Sequence, residues 1–175
     1  VVSLSNSMAA TPASLSSFTS CFGTASSAQT TSVSGTGLTA DMVLTAPTGY
    51  EISLSSGSGY ANTLTLAQSG GTVSATTIYV RLSASAASGA ANGNLTIEST
   101  GATTQNVALS GTVNALPTLT ITDPASSCTT VDLTLDAVDN SSTLTLSYWS
   151  DASATTAIAD PTAVSTSGTY YIKGI

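Results

Sequence analysis

The chain has 175 residues, 41% of them apolar and only 6% charged, with net charge -7 and no histidine. Its two basic residues, Arg81 and Lys173, exclude an electrostatic grip on nucleic acid or an anionic membrane. Ser and Thr fill 63 positions while Lys and Glu are scarce, which disfavours helices because hydroxyl side chains compete for backbone hydrogen bonds.

Disorder shares that richness in Ser and Thr, but not the regular apolar alternation along this chain. From VVSLS onward, strand-like runs are separated by Gly, Ser, Asn and Pro clusters. In GYEISLS the alternation puts Tyr50, Ile52 and Leu54 on one face, and in NTLTLA it pairs Leu64 with Leu66. TTIYVRLSA sends Ile78, Val80 and Leu82 inward and Tyr79 and Arg81 outward. NLTIES turns Leu95 and Ile97 in, and QNVALSGTV does so with Val107 and Leu109. Turn signals stand between them: SGTG at 34–37, APTG at 46–49, SGSG at 56–59, SGG at 69–71 and STG at 99–101. No stretch sustains helical spacing, so the predicted fold class is all-β.

A boundary is predicted near Ala115–Pro117, dividing residues 1–115 from 116–175. About seven or eight strands precede it, the number a Greek-key β-sandwich needs. After it LTIT, TVDLTLDA, LTLSYWS and GTYYIKG read as strands, with 152–165 irregular. Val131, Leu133 and Leu135 are expected to face inward, as are Leu144, Leu146 and Tyr148, followed by Trp149. Gly168-x-Tyr170-x-Ile172 has the spacing of a tyrosine corner, whose hydroxyl bonds back to the backbone. Ile172 then takes the inward position that a cysteine fills in antibody-type domains. The second unit is thus read as an Ig-like sandwich lacking its final strand. Its open edge would be closed by continuation of the polypeptide, or by a strand from another subunit.

No apolar run approaches the ~20 residues of a membrane span, and an exported protein would carry its signal upstream of Val1. Cys21 and Cys128 fall in different predicted domains, so a bridge between them is not expected; each reads as a small buried hydrophobe.

Chemistry is sparse. Without His, and with one Lys and one Arg, nucleophile–base pairs have few candidates. Glu51 and Glu98 are conceivable partners for glycoside hydrolysis, but inward apolar neighbours turn both to solvent. Six of the nine acids are the Asp residues of the second unit (Asp123, Asp132, Asp136, Asp139, Asp151 and Asp160). They invite a calcium reading, yet Asp132 and Asp136 are expected on the outward face of a strand, and no D-x-D-x-D loop occurs. Asp123-Pro124 and Asp139-Asn140 read as turn formers. Lys173 flanks an inward Ile172 and should point outward, which argues against an isopeptide bond. Trp149, Tyr170 and Tyr171 are read as core and corner residues before any sugar-stacking platform. Asn94-Leu-Thr and Asn140-Ser-Ser fit a glycosylation pattern short enough to arise by chance. Catalytic, metal and cofactor sites are therefore expected to be absent.

The first unit, through LSSF (15–18), GTASSAQTTSVSGTGL (23–38), APTGYEIS (46–53), SGGTVSATTIYVRL (69–82) and GATTQNVALSGTV (101–113), resembles a tandem repeat of giant secreted Bacteroidota surface proteins. These are the SprB-type gliding-motility adhesins exported by the type IX secretion system. The second unit resembles their companion Ig-like repeat through TITDPASSC (120–128), VDLT (131–134), LSYWSDA (146–152) and SGTYYIKG (167–174). The resemblance implies that Cys128 pairs with a cysteine on a strand following GTYYIKG. Cys21 departs from the pattern, and the C-terminal sorting domain of such exported proteins is not in this sequence.

The resemblance implies an extracellular, cell-surface stalk or filament, non-catalytic, serving gliding and attachment. Its partners would be neighbouring repeats or other filament subunits, with polysaccharide or surface ligands as further candidates and no nucleic acid or membrane insertion. A strand-donating fibre subunit and a spacer or carbohydrate-binding module of a secreted enzyme are the alternative readings.

Overall fold

Alternation decides the first unit. In the computed structural model, which describes residues 6–135, 138 and 144–175, Ile78, Val80 and Leu82 are fully buried while Tyr79 and Arg81 between them are half-exposed. The chain is all-β, with no helix among the described residues, and divides into Val1–Leu116 and Pro117–Ile175.

Among its described residues the first unit holds nine strands: β1 (Ser7–Thr11), β2 (Ser14–Cys21), β3 (Gln29–Thr36), β4 (Met42–Thr45), β5 (Tyr50–Ser53), β6 (Thr63–Leu66), β7 (Val73–Leu82), β8 (Gly89–Glu98) and β9 (Gln105–Asn114). One sheet has the order β1-β3-β7-β5 and the other β2-β9-β8-β4-β6. β3 and β7 are neighbours, and each is followed by a strand of the other sheet: β4, and β8 beside it. Neighbouring strands are antiparallel except β2 and β9, which are parallel. The count exceeds seven or eight partly because the first strand is split. Pro12, which has no N–H to give a ladder, lies where the chain leaves one sheet for the other.

The two inner faces share one core. Met8, Val33, Ile52 and Val80 come from the first sheet, and Phe18, Leu44, Leu95 and Val107 from the second. Each such side chain contributes roughly 1.5–3 kcal/mol by leaving water. Phe18 and Tyr50 meet across the sandwich edge to face, ring centroids 5.3 Å apart and planes at 79°. The Tyr50 hydroxyl donates to the Ala91 carbonyl on the opposite sheet at 2.9 Å, so a polar atom inside an apolar layer is satisfied.

Burial pushes the Tyr50 phenol up from 10.0 to about 12. Its ionised form is the one the fold rejects, so the unfolded chain loses the proton first. Stability is whole below about pH 10 and falls by ~2–3 kcal/mol as the pH approaches 12. Urea titrations across that window should show the loss, and Tyr50→Phe should flatten the slope.

The two sheets are linked at both margins of the sandwich. On one side β1 passes directly into β2. On the other, Ile52 of β5 and Ala61, just before β6, exchange backbone bonds of 2.8 and 2.9 Å. This bridge ties the two sheets together at one point. It also explains why Leu54 is 52% exposed rather than inward. The buried Ser53 hydroxyl donates to the Ser58 carbonyl and accepts from the Ser55 N–H, curling the chain out of β5 before Leu54.

The second unit has two strands among its described residues, β10 (Leu146–Trp149) and β11 (Tyr171–Gly174), paired antiparallel with Tyr148 opposite Ile172. The stretches expected as strands at 119–122 and 130–135 are not strands. Asp132 Oδ1 accepts from the Thr134 N–H at 2.8 Å and from its hydroxyl at 2.7 Å, and this local bond turns the chain instead of extending it. Leu133 is buried, Val131 is half-buried, and Leu135 is 52% exposed. Asp136, Asp139 and Asn140 lie outside the described residues. The irregular 152–165 segment is tied down by bridges from Trp149 to Ala157 and from Val131 to Val164.

Candidate functional site

The outward face of β5 and β7 carries one polar cluster. Arg81 Nε donates to Glu51 Oε1 at 2.7 Å, and the Arg81 guanidinium lies 3.6 Å above the Tyr60 ring centroid. Glu51 is thus held by a cation instead of standing in solvent, contrary to the sequence expectation. Glu98 is exposed on β8 of the other sheet. The two acids do not share a sheet, and Glu51 is committed to an ion pair. The pairing was hidden in the sequence by a separation of 30 residues, although both positions are outward on predicted strands.

Three acids of the second unit, Asp132, Asp151 and Asp160, are occupied locally. Asp151 accepts backbone N–H bonds from Ser153, Thr155 and Thr156 and a hydroxyl bond from Thr155. These bonds, that from the Thr156 N–H foremost, hold its carboxyl below the usual range. Asp160 is lowered likewise, chiefly by the Thr162 hydroxyl at 2.6 Å and then by the Thr162 N–H. Among the described residues, no group of three or more metal-ligating side chains comes together.

Both cysteines are exposed free thiols, not small buried hydrophobes. Cys21 takes the outward phase at the end of β2, where Phe18 and Ser20 face in. Cys128 lies in the irregular stretch before Val131. Asn94 is in the middle of β8, between β9 and β4, and not in a loop. Lys173 is exposed.

The remaining sequence-predicted residues gather around β10 and β11. The Tyr170 hydroxyl donates to the Thr166 carbonyl at 2.5 Å. Trp149 is half-buried, its Nε1 donating to the Ser147 hydroxyl at 2.9 Å. Ile172 is half-buried and, with Tyr170, lines an open trough of about 800 Å³ whose other apolar walls include Ile121, Val131, Leu133 and Val164.

The trough adjoins the outer edge of β11. Thr145 and Ile175 exchange both backbone bonds, at 3.0 and 3.1 Å. Antiparallel alternation then points the groups of Tyr171 and Lys173 at β10, and those of Ile172 and Gly174 away from it. On that outer side no backbone partner for Ile172 or Gly174 occurs among the described residues. The opposite edge of β10 is covered, since Tyr148 accepts from the Ile158 N–H and the Ser150 N–H donates to Thr156.

These features define an all-β protein whose first unit is a two-sheet sandwich with its own core and whose second unit offers an apolar trough beside a strand edge that has no backbone partner among the described residues. No protein-family profile matches the chain, and no curated protein matches it.

Proposed function

We propose that the chain is a non-catalytic structural repeat of an extracellular stalk or filament of a bacterial surface adhesin, acting in gliding and attachment. Both units are read as Ig-like modules. The observation that carries this reading is the contrast between them. The first unit buries its own core between two sheets of four and five strands, as an autonomous link in a linear array must. In the second, the outward backbone groups of Ile172 and Gly174 have no backbone partner among the described residues and lie next to an apolar trough, where a further β-strand would pair with them. In a tandem array that strand comes from the same polypeptide, and its cysteine would meet Cys128.

Antibodies raised against residues 1–175 and applied to intact, unpermeabilised cells test the reading. Immunogold label should follow filaments at the cell surface. Label confined to the cell interior would refute it.

The open β11 edge also favours a second reading, in which another subunit donates the strand and the protein forms fibres. Sedimentation of the purified chain separates the two: concentration-dependent growth supports donation, and a monomer at all concentrations supports a repeat.

A further inference from the structure

We infer that the first unit is a mechanical clamp, built so that tension along the polypeptide loads the β2–β9 ladder in shear. As the chain advances from β1 into β2 it tracks β3 backwards. Ser7 lies opposite Thr36 and Thr11 opposite Ser32, Pro12 O accepts from the Thr31 hydroxyl, and Ser16 O accepts from the Gln29 amide. β1 and β2 are therefore collinear, and the chain enters at the far end of the sandwich from Cys21. β9 runs parallel to β2, with Ser14 opposite Ala108 and Cys21 opposite Asn114. The chain thus leaves at the Cys21 end. Entry and exit are at opposite ends of two parallel strands.

Pulling those ends apart drives β2 and β9 past each other along their common axis. Their inter-strand bonds cross that axis, so they bear load together instead of opening one after another. The ladder is bounded by two bonds, Ala108 N–H to Ala13 O at 2.9 Å and Phe22 N–H to Asn114 O at 2.8 Å. Tension also draws β1 lengthwise along β3.

Side chains add a detent. Phe18 is seated over Gly111, where even a Cβ would come within 2.8 Å of the Phe18 Cβ and carbonyl oxygen. A slip of one residue would bring Phe18 over Ser110 or Thr112, and would turn Leu15 and Phe18 out of the core. The first step of sliding thus meets hydrogen bonds, a steric stop and lost burial at once. Rupture under force is set by that barrier to unfolding, not by total stability.

Single-molecule pulling of the full chain tests this in two geometries. Cys128→Ser leaves Cys21 as the one thiol, and Cys128 is exposed, so the change is mild. Handles at the two chain termini load the ladder in shear. Handles at Cys21 and the C terminus load it from one end, so that β2 peels from β9. The first unit, identified by the length of chain released, should resist with several-fold higher force in the first geometry. Equal forces, or a higher force from Cys21, would overturn the clamp.

Two variants guard against a mere stability effect. Phe22→Pro removes the bounding Phe22 N–H bond from an exposed position and should lower the terminal-pull force. Leu66→Ala, buried on β6 away from the ladder, should lower thermal stability more than rupture force. A Leu66→Ala force loss matching that of Phe22→Pro would also overturn it. The clamp rests on the topology of the first unit alone, so failure of the surface-filament reading would leave it standing.

Discussion

Phe18→Ala is expected to remove about 3–5 kcal/mol from the first unit, the usual loss for truncating a buried aromatic. Phe18 is 2% exposed and stands edge-on to Tyr50 in the shared core. Its position depends on a bulge. Leu15 faces inward, and strict alternation would bring Ser17 in with it. Between Leu15 and Phe18, however, β2 advances three residues while β9 advances two. Ser17 takes up the extra residue with φ of 64°, a left-handed conformation typical of such kinks. Phe18 and Ser20 thereby inherit the inward phase. Truncation leaves a cavity under a held backbone, with Tyr50 deprived of its ring partner. Urea unfolding should show a lower midpoint with little change in slope. A loss below about 1 kcal/mol would mean that the sheets collapse into the space.

Gly111→Ala is expected to cost about 3 kcal/mol, the upper part of the range for overpacking. The added Cβ would lie 2.8 Å from both the Phe18 Cβ and the Phe18 carbonyl oxygen, and 2.9 Å from the Tyr50 hydroxyl. A side chain can swing aside, but the Phe18 carbonyl belongs to a strand fixed by its ladder. Tyr50→Phe deletes one of the three obstacles. In that background Gly111→Ala should cost less, with a coupling of at least ~0.5 kcal/mol in a double-mutant cycle. Strict additivity of the two changes would place the strain entirely on Phe18.

The first unit was largely legible because its strands alternate cleanly. Ile78, Val80, Leu82, Leu95, Ile97, Val107 and Leu109 are all buried. What escaped sequence reading were features that alternation does not encode. The first half of β8, Gly89–Asn94, looks like a loop because Gly, Ala and Asn are poor strand formers. It extends nonetheless because β9 pairs with it throughout, and Gly93 leaves room for Pro47, which a Cβ would approach to 2.6 Å. The Glu51–Arg81–Tyr60 cluster is equally silent, since its members meet only once β5 and β7 are paired. In the second unit the alternation of 131–135 was misleading. A hydroxyl-rich segment with Asp residues beside its Thr satisfies itself locally, as Asp132, Asp151 and Asp160 do, before it can extend. The Tyr170 bond to Thr166, by contrast, has the spacing that Gly168-x-Tyr170 suggests.

The near absence of charge in the first unit has an environmental consequence. Arg81 with Glu51 is the one ion pair among the described residues. Beside it stand the Arg81 contact with Tyr60 and the bond that the Gln68 N–H donates to Asp41; the rest of the described first unit is held chiefly by neutral hydrogen bonds and buried hydrocarbon, which dissolved ions of ordinary concentration scarcely screen. Such a fold should keep nearly the same firmness in fresh water as at moderate salt.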